Sequence, residues 1–218
     1  MKKKLVIALT LLVLLSTYKP QKLLLIKKLN IKEIKIENNF IIRDQEIKNN
    51  LDFLYQTNLF ILKTKRIENI LKKIDFIESF EVKKKYPNKL VIKIFEKKPI
   101  AVLQSEDIFF YISEKFELIN YRNLSSAENL PTVVGDKDSF KKLYSDLKEI
   151  NFPFKLIKRY YLHETQRWDI ETYKKILIKL PSQNYIQSLK NFMIIIENQN
   201  YQQFKVYDYR ISKQLILK

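Results

Sequence analysis

No cysteine occurs in this 218-residue sequence, so neither a disulfide nor a thiolate metal site can hold its fold, and residence outside the cytoplasm cannot depend on oxidation. The single glycine, Gly135, excludes Gly-rich phosphate loops, the dinucleotide fingerprint and the nucleophile elbow, each of which needs backbone freedom at several positions. The single histidine, His163, stands beside Glu164 with no second histidine, no cysteine and no nucleophile motif nearby, and reads as a surface residue rather than a base or metal ligand. Glu78 and Glu81 have odd spacing within a predicted strand and therefore face opposite sides, so they cannot converge as a catalytic carboxylate pair. These absences imply a protein that is not an enzyme and that uses no cofactor and no metal.

What is present is apolar and basic. A hydrophobic content of 46% over this length supports two modest globular units plus a terminal segment. The formal net charge of +17 suits nucleic acid or an anionic lipid surface, and charge alone does not choose between them. The basic residues are mostly Lys and are spread along the chain, with no RNP-like, zinc-finger or basic-zipper pattern, which favours a solvated Lys-rich surface over a dedicated nucleic-acid face.

At the amino terminus, Lys2, Lys3 and Lys4 precede an uncharged run from Leu5 to Tyr18, the layout of an export signal. These 14 residues make a helix of roughly 21 Å, short of the roughly 30 Å hydrocarbon core, so length by itself favours a signal peptide. Leu15-Ser16-Thr17-Tyr18 offers no A-x-A-like cleavage site, however, and Leu23 to Ile26 adds a second apolar stretch; both favour an uncleaved anchor over residues 1–26. Lys19 and Lys22 must then snorkel and Pro20 breaks the helix near its end. Orientation rests on the signal-like layout, because Lys19, Lys22, Lys27 and Lys28 outnumber the lysines before the run.

Residues 27–98 read as an α+β module. Ile34 and Ile36 alternate with charged residues in a half-buried strand; Asp44, as N-cap, opens a helix with Ile47, Leu51 and Leu54 on one face; Thr64 caps a second with Ile67, Ile70, Leu71 and Ile74. Phe80 and Val82 alternate into a turn at Tyr86-Pro87-Asn88-Lys89, followed by the β-prone Leu90 to Phe95. The order β-α-α-β-β predicts two helices on one face of a three-stranded sheet.

The segment from Asp75 to Ala101, with an apolar pair before a strand, a basic-aromatic-Pro turn, an apolar strand and then Glu96-Lys97-Lys98-Pro99-Ile100-Ala101, resembles the end of the POTRA domain in the FtsQ/DivIB family. POTRA domains also occur in outer-membrane assembly proteins, but a single copy and no barrel-length series of strands favour the division family.

In residues 99–218, Ile108 to Ile112 and Phe116 to Ile119, separated by Ser113-Glu114-Lys115, predict a hairpin, with Lys115 near the place where similar proteins carry a turn glycine. Leu130-Pro131-Thr132-Val133-Val134-Gly135 resembles the family's Leu-Pro-apolar-Gly segment, and Gly135 predicts a positive φ. Phe140, Leu143, Tyr144 and Leu147 mark one helix; Ile186, Leu189 and Met193 mark another. Arg167-Trp168-Asp169-Ile170, Lys175 to Pro181 and Val206 to Ile211 resemble the family's remaining strand signatures, so the likeness spans both modules. The implied architecture is a membrane helix, a POTRA domain and a mostly antiparallel β domain with two or so helices.

The last strand is the candidate binding element. Tyr207, Tyr209, Ile211, Lys213, Leu215 and Leu217 share one face under strict alternation, which serves either as core or as an interface, and an edge position would allow β-augmentation. By resemblance, this end of the β domain binds an FtsB/FtsL-like coiled-coil pair, with Arg167, Trp168 and Arg210 contributing. The family's recruitment positions on the second POTRA strand correspond to Ser79, Val82 and Lys84; Lys84 lies on the side of Phe80 and Val82, where its ammonium is either a contact or locally snorkelled. The resemblance implies a single-pass inner-membrane protein, largely periplasmic and enriched at the septum, that links division-site recruitment to septal wall synthesis without binding nucleic acid. The rival readings are a POTRA-bearing export or assembly component and a basic nucleic-acid-binding protein. Only Met1 to Lys4 precede the apolar run, where similar proteins often carry a longer cytoplasmic tail.

Overall fold

Local periodicity dictates the first unit, and a computed structural model of the chain describes residues 2–17, 27–55, 57–124, 127–201, 203–211 and 214–218. Helix α1 spans Lys2–Thr17, 16 residues, or roughly 24 Å of rise. Among the described residues no helix is long and apolar enough to cross a membrane. The expected second part of the anchor, 18–26, lies outside the described residues.

Two compact units follow from the packing, Met1–Glu96 and Lys97–Lys218. In the first, β1 (Glu33–Glu37), α2 (Asp44–Asn50), α3 (Lys65–Leu71), β2 (Ile77–Lys85) and β3 (Lys89–Glu96) realise the expected β-α-α-β-β order. The sheet order is β1-β3-β2, with β1 parallel and β2 antiparallel to β3. Ile34 and Ile36 of β1 and Leu90, Ile92 and Ile94 of β3 are buried together with the helical Ile47, Ile67 and Leu71, so the apolar faces read from spacing form the core.

One predicted cap is displaced and the other keeps its position without its side-chain bond. Asp44 sits inside the first turn of α2, where its carboxylate accepts from Asn39 Nδ2 at 2.8 Å, and the N-cap is Arg43. Thr64 holds the N-cap position of α3 in helical geometry, without a side-chain hydrogen bond. The entry to α2 is instead secured from afar: the Glu96 carboxylate at the end of β3 accepts backbone N–H groups from Phe40 (2.9 Å), Ile41 (2.8 Å) and Ile42 (2.8 Å). Three successive amides around one carboxylate form an anion nest that locks the β1–α2 connection to the sheet.

The second unit is one nine-stranded sheet in the order β12-β11-β10-β9-β8-β7-β4-β5-β6. Its strands are β4 (Pro99–Ser105), β5 (Ile108–Ser113), β6 (Leu118–Asn120), β7 (Thr132–Val134), β8 (Ile157–Leu162), β9 (Trp168–Thr172), β10 (Leu177–Lys179), β11 (Val206–Asp208) and β12 (Ile216–Leu217). Five pairs are antiparallel; β4/β7, β7/β8 and β10/β11 are parallel. Parallel neighbours need crossovers, and α4 (Lys137–Glu149) and α5 (Tyr185–Glu197) provide the last two. Phe140, Leu143 and Leu147 of α4 and Leu189 and Phe192 of α5 pack with Val133, Tyr160, Ile170 and Ile178 of the sheet.

Asp136 caps α4 by accepting N–H bonds from Asp138 and Ser139. Gly135, just before it, has φ of +152°, and a Cβ there would lie 2.6 Å from Leu162 Cβ, so conformation and space both demand glycine. The β5–β6 hairpin forms, but its second strand starts at Leu118 rather than Phe116. Phe116 takes the left-handed conformation at φ 59°, so the turn places that strain one residue beyond Lys115.

The Glu96 nest generates a stability prediction. Glu96→Ala strands three donors and should cost about 2 kcal/mol or more in urea unfolding of the first unit; an unchanged midpoint would show that water replaces the carboxylate without loss.

Candidate functional site

At the carboxyl-terminal end of the nine-stranded sheet, β12 is the outermost strand among the described residues. It pairs antiparallel with β11, Tyr207 opposite Leu217 and Asp208 opposite Ile216. Val206 and Lys218 exchange both backbone hydrogen bonds, at 2.9 and 3.1 Å. Alternation along the ladder then turns the N–H and C=O of Leu217 away from β11, toward the open edge.

The predicted continuous face from Tyr207 to Leu217 does not exist, because the strand ends at Asp208 and the chain reverses before β12. Asp208 causes the stop. Its carboxylate is 6% exposed by residue and accepts the Arg210 backbone N–H at 3.1 Å, Arg210 Nε at 2.8 Å and Arg210 Nη2 at 2.6 Å. A side chain two residues back that captures both the next amide and a guanidinium pulls the backbone out of extended geometry. The hydrogen-bonded Arg210 guanidinium holds the Asp208 carboxyl below the ordinary carboxylate range, against burial, which pushes it up. Ile211 then accepts a backbone bond from Gln214 at 3.1 Å, closing the turn.

The predicted site residues separate by face. Trp168, Tyr207 and Tyr209 are core, at 4%, 0% and 7% exposure, with Tyr207 edge-to-face on Phe192 and the Tyr209 hydroxyl donating to Asn191 Oδ1 at 3.0 Å. Their rings are occupied inside the domain. Arg210 and Ile211 are exposed, Leu215 is half-buried against the core, and Lys213 lies outside the described residues. Arg167 is half-buried; its carbonyl accepts the His163 N–H at 2.9 Å and closes the β8–β9 hairpin. The registers Asp169↔Lys179 and Lys179↔Asp208 bring Arg167, Arg210, Ile211 and Leu215 to the same end of the terminal strands.

A polar row missed in the sequence crosses these strands: Asp169 on β9, Lys179 on β10 and Asp208 on β11 are aligned by register. His163 Nε2 lies 3.0 Å from Asp169 Oδ2, so the histidine read as a plain surface residue flanks a buried carboxylate. The signal for the row was the alternation of Asp169 with Trp168 and Ile170. Among the described residues no group of three or more His, Cys, Asp or Glu could hold a metal ion.

In the first unit, β2 is also an edge strand. Val82 and Lys84 share the face of Phe80, opposite Ile92 and Leu90, whereas Ser79, an odd position opposite Phe95, lies on the other face by alternation. Ser79 is exposed; the Lys84 ammonium donates to the Leu62 carbonyl at 2.7 Å, which is how that face accommodates it.

A three-stranded β-α-α-β-β unit followed by a mixed sheet with a free carboxyl-terminal edge defines a POTRA-bearing protein with a β-rich second domain. The model for the POTRA domain, FtsQ-type, matches residues 29–97. The cell division protein FtsQ of Rickettsia typhi is 30% identical over 184 residues, covering 79% of this chain and 68% of that protein. The Rickettsia prowazekii FtsQ is also 30% identical, covering 78% and 68%. The chain belongs to the FtsQ/DivIB family of bacterial cell-division proteins. It spans 59% of the length of the Rickettsia bellii FtsQ, which is 29% identical. Among solved structures, the major extracytoplasmic domain of DivIB from Geobacillus stearothermophilus is similar, with 17% identity, a TM-score of 0.35, and coverage of 49% of this chain and 96% of that one.

The Asp208 bond has a pH signature. A carboxylate whose folded-state pKa is depressed stabilises the fold at neutral pH, and that stabilisation is lost as pH falls from about 4 through the lowered value. Asp208→Asn should therefore melt a few degrees below the wild type at neutral pH, with the gap narrowing toward pH of about 3; a gap independent of pH would show that the charge is not what holds the turn.

Proposed function

We infer that this chain is a non-enzymatic scaffold of the bacterial division machinery, anchored in the inner membrane through residues 1–26, with a POTRA domain at 27–98 and a partner-capturing β domain at 99–218 outside the cytoplasm. Support for division comes from family membership, and support for the anchor comes from α1, in which Lys2, Lys3 and Lys4 lead into an uncharged apolar stretch. The single observation that carries the binding reading is the open edge of β12. An added strand satisfies the outward Leu217 groups while Ile211 and Leu215 receive its side chains. The partner proposed is an FtsB/FtsL-like coiled-coil pair, whose docking segment pairs with β12 beside Arg167 and Arg210.

The second edge, β2, is the proposed recruitment strand. Val82 offers a half-buried apolar contact and Ser79 an exposed hydroxyl on the opposite face. Lys84, tied to Leu62, fixes the strand's end and contributes by positioning. The mechanism is placement rather than chemistry, and it requires no cofactor: the anchor confines the protein to the membrane, β2 recruits it, and β12 gathers the proteins that regulate septal wall synthesis.

The test is capture of the organism's FtsB/FtsL-like pair by the detergent-solubilised full chain, with duplex DNA in parallel at moderate salt. Ile211 is 52% exposed, so Ile211→Asp should leave the circular dichroism melt unchanged and weaken capture by about tenfold or more, since a charge would be desolvated at the docking strand. Undiminished capture by the folded variant contradicts the β12 site, and DNA retention without the coiled coil returns the +17 charge to the nucleic-acid reading.

A further inference from the structure

Folding gathers the charge of the POTRA unit at one pole. The chain leaving the amino-terminal segment pairs antiparallel with a distant loop: Asn30 bridges Asn58, Leu59 N–H donates to the Leu29 carbonyl at 2.8 Å, and Ile31 N–H donates to the Thr57 carbonyl at 3.0 Å. The β2–β3 turn joins at the same end, where Lys32 N–H donates to the Asn88 carbonyl at 2.9 Å. The bond from Lys84 to the Leu62 carbonyl ties the loop to the end of β2. Because the pairing is antiparallel, Phe60 and Ile61 continue back along the incoming chain, in the direction from which it enters the domain.

The three segments share one chemistry. Residues 27–32, 57–66 and 84–89 contain nine Lys or Arg and no Asp or Glu, whereas the rest of 27–96 contains seven Lys or Arg and ten Asp or Glu. One of those acids, Glu33, borders the pole and pairs with Lys89 at 2.5 Å, which leaves eight cations there in excess. Phe60, Ile61 and Tyr86 are exposed there, at 56%, 50% and 57%. A nucleic-acid backbone would satisfy the cations but leave the adjacent Phe60 and Ile61 side chains of a loop tip in water. A bilayer interface accommodates both, since aromatic and aliphatic tips settle at headgroup depth while lysines meet anionic phosphates.

We propose that the Phe60–Ile61 tip, with Tyr86 and the surrounding lysines, docks the POTRA unit onto an anionic lipid surface. This rests on the anchored reading above, which brings this pole to the membrane first. Docking at the tip holds β1 pointing away from the bilayer and presents the edge strand β2 at a fixed height. Phe40 is a built-in contrast: it is 86% exposed but lies beyond the other end of β1, beside Glu96.

The absence of cysteine allows single-site labelling of the full chain. Phe60→Cys, Ile61→Cys, Phe40→Cys and Leu12→Cys would each carry a polarity-sensitive fluorophore, in vesicles of zwitterionic lipid with or without about one-third phosphatidylglycerol, and be probed with spin-labelled lipid. Labels at 60 and 61 should shift to the blue and be quenched several-fold more than at 40 in the anionic vesicles. That difference should shrink with added salt and with Lys63→Glu and Lys65→Glu. Quenching at 12 with 60 and 61 no different from 40 overturns the docking tip and leaves the anchor intact. Quenching at 60 without 12 supports the tip and removes the anchor, and quenching at neither overturns both.

Discussion

The bond between Asp208 and Arg210 decides where the large sheet ends. Without it, the alternation that runs from Tyr207 toward Leu217 would extend β11 as one long strand, and the outer backbone groups would belong to a different row of residues. With it, the chain stops at Asp208, exposes Arg210 and Ile211 on a turn, and returns as β12. The position of the open edge, the burial of Tyr207 and Tyr209, and the grouping of Arg167 with Arg210 all follow from that stop. Burying a carboxylate is costly unless it is paired, and here the pairing partner is supplied by the turn that the carboxylate creates.

The POTRA unit applies the same economy at its two ends. At one end Glu96 gathers three backbone amides and fixes the β1–α2 connection. At the other, the incoming chain, the loop after Thr57 and the β2–β3 turn are joined by backbone bonds, and the cations of three separate segments converge. A module held at both ends suits the proposed docking, in which the position of a lipid surface is carried to β2, the proposed recruitment strand.

Much of this was legible in the sequence because burial imposes periodicity. Ile47, Leu51 and Leu54, or Leu90, Ile92 and Ile94, mark core faces whatever their partners are, and all are buried. Gly135 was legible as a positive φ, though not its contact with Leu162. The Asp44 cap failed because the entry to α2 is held by Glu96, a nest ligand more than fifty residues away that no local pattern encodes, whereas Thr64 takes the N-cap position without the expected side-chain bond. The last strand failed for a related reason: alternation continues through Ile211 and Leu215, and only the capture of Arg210 by Asp208 breaks it. The basic pole was hidden because lysines spread evenly in sequence are concentrated only by folding.

The central proposal is that β12, which has no outer neighbour among the described residues, takes a strand from the proposed division partner. Amide hydrogen exchange of the full chain, with and without the FtsB/FtsL-like pair, tests it at a single group. The outward Leu217 N–H should exchange freely in the protein alone and become strongly protected in the complex, while the Tyr207 amide inside the sheet is protected in both. Binding that leaves Leu217 as exchangeable as before would contradict the account.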